Sequence, residues 1–69
     1  MNDIIRRINC NAERDIETPI DYNGSAYDVS FIEKWFPDGK SVLCRVYSSK
    51  FGEGNCWRTF KVDKMVYTG

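Results

Sequence analysis

The sequence predicts a mainly β domain of the α+β kind, a short N-terminal helix followed by a four- to five-stranded antiparallel barrel or strongly curved sheet. Three observations lead there. Val and Ile supply eleven residues and the aromatics ten, against one Leu, a bias toward strand-forming side chains. The apolar spacing changes near Ile16 from three and four to two. Two strong turn signals, Asn23-Gly24 and Pro37-Asp38-Gly39, punctuate the alternating stretch. At 69 residues the chain closes around one core, so residues 1–69 form a single domain.

Each element has its own local pattern. Asn2 or Asp3 can accept from the free amides of a first helical turn. Ile4, Ile5, Ile8 and Ala12 then form one apolar stripe, predicting a helix over 3–13. So short a helix is stable only when docked, here on a sheet. Ile16, Thr18, Ile20 and Tyr22 alternate with polar residues, a first strand that Pro19 marks as an edge or a strand start. Asn23-Gly24 turns the chain into a second strand over about 26–35, with Tyr27, Val29 and Phe31 on one face. The Pro-Asp-Gly turn leads to a third strand over 41–48, which is apolar enough on both faces to be central. Residues 49–55 read as the longest loop, with Phe51 exposed or folded back as a lid. A fourth strand over 56–62 and a short fifth over 65–68 complete a meander of the length and order seen in small SH3-like or Sm-like barrels. Ile8, Val29, Phe31, Val46 and Phe60 are the expected core.

Charge and chemistry narrow the function. The net charge is zero, yet residues 1–39 carry four basic against eight acidic groups and residues 40–69 carry six against two. If the basic half forms one side, that side attracts phosphates; if the strands interleave, the charges mix. No histidine is present, which removes the usual general base and the commonest zinc ligand. Cys10, Cys44 and Cys56 are odd in number and lack a Cys-x-x-Cys spacing, so no metal site or disulfide framework is expected; a Cys44 and Cys56 redox pair is the alternative. No serine or cysteine has a base beside it, and Asp15 and Glu17 read as a solvated acidic rim, so no enzyme and no cofactor are expected. With no long apolar run and no signal-like start, a cytoplasmic protein without a membrane partner is expected.

The basic half supplies the candidate site. Arg45, Arg58, Lys61 and Lys64 interleave with Tyr47 and Trp57, and alternating cations and rings can hold phosphates while bases stack. Arg58 and Lys64 point one way in an unbroken strand and Lys61 the other, so grouping them requires a bend near Asp63. Lys34, in the acidic half, is expected to lie outside the site. Equally, Trp57 and Phe60 can be core residues with the cations at its rim.

The segment Arg58-Thr59-Phe60-Lys61-Val62-Asp63-Lys64-Met65 resembles the closing motif of WYL domains, in which Arg-Thr-Phe precedes a basic residue, an aliphatic, Asp, a second basic residue and an aliphatic. Upstream, the helix carrying Ile8, Ile20-Asp21-Tyr22-Asn23-Gly24 and Leu43-Cys44-Arg45-Val46-Tyr47 fall in the family's order. Ser41-Val42-Leu43 stands where the family has Trp-Tyr-Leu, and Lys61 and Lys64 stand where arginines are frequent. The resemblance implies an Sm-like module that senses a nucleotide or binds single-stranded nucleic acid and modulates a protein partner. No helix-turn-helix accompanies it in this sequence, so autonomous sequence reading is not implied. The alternative is a pure protein-interaction module, such as a small phage- or mobile-element-encoded inhibitor that offers its acidic half or a sheet edge.

Overall fold

A computed structural model describes residues 3–48 and 54–69. The helix α1 (Asp3–Glu13) precedes β1 (Thr18–Tyr22), β2 (Ser25–Trp35), β3 (Ser41–Ser48), β4 (Gly54–Lys61), a 3-10 turn (Val62–Lys64) and β5 (Met65–Tyr67). The strands form one antiparallel sheet in the order β4-β3-β2-β1-β5. It is an open, strongly curved sheet, not a closed barrel. Flat, β1 and β4 would lie about 14 Å apart across three strand spacings. Instead the Tyr22 ring meets the Phe60 ring at 4.8 Å, and the Lys61 amide donates to the Tyr22 hydroxyl at 3.0 Å.

The helix occupies the predicted span and buries Ile4, Ile5 and Ile8 on the inner face of β1, β2 and β5. Its candidate cap Asn2 lies outside the described residues. Its C-terminal closure has no counterpart in the sequence expectation. Asp15 takes φ 59°, the Ile16 amide donates to the Asn11 carbonyl, and the Asp15 amide donates to the Ala12 carbonyl. This is a Schellman closure with Asp where Gly is usual. The turn consumes Asp15 and Ile16, so the first strand begins at Thr18 rather than Ile16, and Ile16 is exposed. Pro19 marks a strand start and not an edge. β1 is interior, and its ladder with β5 begins only at Ile20.

Both turns obey their sequence signals. Asn23 and Gly24 have positive φ, at 51° and 84°, and link Tyr22 to Ser25 as a two-residue hairpin loop. In the second turn the Gly39 amide donates to the Phe36 carbonyl and Gly39 takes φ 70°. Asp38 accepts from the amides of Lys40 at 2.8 Å and Ser41 at 3.2 Å. The Lys40 amide, foremost, holds its carboxyl below the ordinary carboxylate range.

Register produces the main correction. β2 carries two irregularities against β3, one between Val29 and Phe31 and one between Ile32 and Lys34. Each inserts one residue and reverses the facing of the residues beyond it. Val29 therefore points into the core, fully buried, whereas Phe31 pairs with Arg45 on the outer face and is 39% exposed. The other expected core residues, Ile8, Val29, Val46 and Phe60, are fully buried, beside Ile20, Val42 and Cys44. Most of the expected 49–55 loop, including Phe51, lies outside the described residues, and β4 starts at Gly54 rather than Cys56.

Candidate nucleic-acid interface

Strand register assembles the outer face of β2, β3 and β4 in rows, because directly opposed residues share a face. Phe31, Arg45 and Trp57 form one row; Asp28 and Tyr47 lie to one side of it. Lys34, Leu43 and Thr59 lie to the other side, followed by Ser41 and Lys61. In the central row the Phe31 and Trp57 rings meet edge to face at 5.9 Å, and the Arg45 guanidinium stands 5.2 Å from the Trp57 ring centre. Trp57 is 47% exposed and Tyr47 37%. These rings are exposed because the face has nothing of this chain over it among the described residues, α1 having gone to the opposite side.

Of the six sequence candidates, Arg45, Tyr47, Trp57 and Lys61 share this face. Arg58 does not. It pairs with Cys44, whose side chain is buried, and so belongs to the inner side, where its guanidinium rests 5.1 Å from the Tyr27 ring. Lys64 sits on the 3-10 turn, which breaks the strand that would have aligned it with Arg58. Lys34, expected outside the site, stands on the outer face opposite Leu43 and approaches the Phe36 ring at 5.4 Å. Sequence reasoning excludes Lys34 by counting it with the acidic half, although strict alternation from Val29 also puts it on the outer face, and it misses Phe31 because of the bulges. Their trace in the sequence is a length mismatch: a strand read as ten residues faces one of eight across a tight turn.

The cations rest on rings. Arg7 on Tyr67, Lys34 on Phe36, Arg45 on Trp57 and Arg58 on Tyr27 make four such contacts among the described residues, against about one per 70–80 residues ordinarily. A guanidinium set over a ring keeps N–H groups for a phosphate or carboxylate. The outer face therefore offers stacking area and directed donors, with Asp28 the carboxylate at its rim.

The cysteines are unpaired, and Cys44 is buried. Cys10, Cys44 and Cys56 are free thiols. Cys44 faces Arg58 and Cys56 faces Val46, a diagonal relation whose separation of about 7–8 Å exceeds disulfide reach. Burial pushes the Cys44 thiol up to about 12, far from a reactive thiolate. No helix among the described residues is long and apolar enough to cross a membrane. No family model matches the chain, and neither a curated protein nor a solved structure matches it.

Proposed function

We propose that the protein is a non-enzymatic cytoplasmic binding module that takes single-stranded nucleic acid on the outer face of β2, β3 and β4. The carrying observation is the Phe31, Arg45, Trp57 row, two exposed rings flanking a half-buried arginine. Bases stack on the rings, and Lys34, Arg45 and Lys61 receive the phosphates along one side, away from Asp28. The WYL-like segment supports the same ligand class, although its Arg58 stands on the other side of β4. An inert Cys44 and the absence of histidine favour binding over turnover, and three free thiols suit a reducing compartment.

Titrating a fluorescent single-stranded oligonucleotide at several salt concentrations tests this reading. The affinity should fall as salt rises, with a slope near −0.7 per phosphate neutralised. Trp57→Ala should weaken binding about tenfold or more by removing a stacking surface. Arg45→Ala should weaken it and flatten the slope by about 0.7, while Arg14→Ala, beyond the end of α1, leaves both unchanged. Salt-insensitive binding, or equal affinity for Trp57→Ala and the parent, would refute the proposal.

A further inference from the structure

β4 ends the sheet, so along its free side its backbone has no ladder partner among the described residues. The direction of its amides can be read. Lys61 donates away from β3 to the Tyr22 hydroxyl, whereas the next amide, Val62, donates to the Lys40 carbonyl on the β3 side. Amide direction alternates along a strand, so Thr59 and Trp57, like Lys61, present their N–H and C=O groups outward. The edge is straight, since β3 and β4 pair without a register shift from Ser41↔Lys61 to Ser48↔Gly54, and it contains no proline.

This edge does not open onto bulk solvent alone. The curl of the sheet sets the β1–β2 hairpin across from it, leaving a shallow cleft of about 500 Å³ between Tyr22, Ser25 and Tyr27 on one side and Trp57, Arg58 and Thr59 on the other. Arg58 lies in it with its guanidinium over the Tyr27 ring, and no carboxylate of the described residues pairs with it. We infer that the free edge of β4 accepts an extended acidic peptide segment of a protein partner, which adds a strand to Trp57 and Thr59 and seats a carboxylate on Arg58. Main-chain bonds supply the affinity and the Arg58 contact the selectivity. A second copy of this chain is the poorer occupant, because β4 carries Arg58 and Lys61 without a carboxylate to receive them, and two-fold pairing centred on Arg58 would bring the two Arg58 side chains together. The site shares Trp57 and Thr59 with the oligonucleotide face through their backbone only, and Arg58 stands on the other side of β4.

The test is an amide-resolved NMR titration of the full chain with a capped eight-residue peptide of alternating Thr and Val carrying one central Glu. The Trp57 and Thr59 amides should shift and exchange more slowly with solvent. Replacing the Glu with Gln, or Arg58→Gln in the protein, should weaken binding about tenfold, while Arg58→Lys retains part of it. N-methylation of alternate peptide amides should abolish it, and oligonucleotide affinity should be unchanged by Arg58→Gln. No binding of the Glu peptide, equal binding of the Gln or N-methylated peptides, or an oligonucleotide affinity lowered by Arg58→Gln would each overturn the inference.

Discussion

The two faces of this sheet are built from similar residues and behave oppositely. On the inner face Ile20, Val29, Val42, Val46 and Phe60 are sealed by α1 and by the curl of the sheet. On the outer face Phe31, Tyr47 and Trp57 keep 39%, 37% and 47% of their surface in water. Aromatic content therefore does not tell core from surface here; the distinction comes from which side the helix docks and which residue a bulge turns over. Part-exposed rings contribute less to folding than sealed ones, and their open area is available to a ligand.

The largest effect that sharpens this contrast is truncation of Phe60 against truncation of Trp57. Phe60 is fully buried and receives the edges of Tyr22 and Tyr27 at 4.8 and 5.4 Å. Phe60→Ala should cost about 3–5 kcal/mol, enough to unfold a domain this small, where total stability is about 5 kcal/mol or less. Trp57→Ala should cost about 1–2.5 kcal/mol, the worth of an edge-to-face ring pair and one exposed cation contact. Urea unfolding of both variants measures the difference. Equal losses would mean that the outer rings are structural and would remove the argument for a ligand there.

The contrast between the faces also separates features that a sequence carries openly from those it hides. Helix 3–13 is legible because an isoleucine stripe has a single helical reading, and both turns are legible because Asn23-Gly24 and Gly39 meet a demand for positive φ. The bulges at Ser30 and Glu33 are not. Strict alternation is the default reading of a strand, and neither residue is a glycine that would mark an interruption. That omission accounts for the misplacement of Phe31; the exclusion of Lys34 comes from counting it with the acidic half. The separation of Arg58 from Lys61 is legible in the odd spacing; that no bend reunites them with Lys64 depends on the 3-10 turn, which the sequence shows only as Asp63 among aliphatics.

A smaller effect sits where the helix hands over to the sheet. Asp15 holds φ 59° at the Schellman position, where an L side chain crowds the following carbonyl and glycine does not. Asp15→Gly should raise stability by about 0.5–1 kcal/mol, less than the full strain because glycine also frees the unfolded chain. Asp15→Val should lower it by about 1 kcal/mol or more. Thermal unfolding separates the two, and a loss on Asp15→Gly would show that the carboxylate has a role that the closing backbone bonds do not account for.

The smallest effect concerns pH and the β2–β3 turn that sets the outer rows. The Asp38 carboxylate accepts from the Lys40 and Ser41 amides and from the Ser41 hydroxyl, and its pKa is lowered on folding. A group whose folded pKa is depressed stabilises the fold above its unfolded value and loses that contribution as pH falls through the folded value. Its full effect is present at neutral pH and fades below about pH 4, near the ordinary carboxylate value. Asp38→Asn keeps an acceptor oxygen but not the charge, so it should lower the melting temperature at pH 7, and the gap from the parent should close as pH falls toward 3. Because the carboxylate is solvent-exposed, the gap should be small beside that of Phe60→Ala. A gap that stays constant from pH 7 to 3 would show that the turn is held by Gly39 and its backbone bonds, with the Asp38 charge making no contribution.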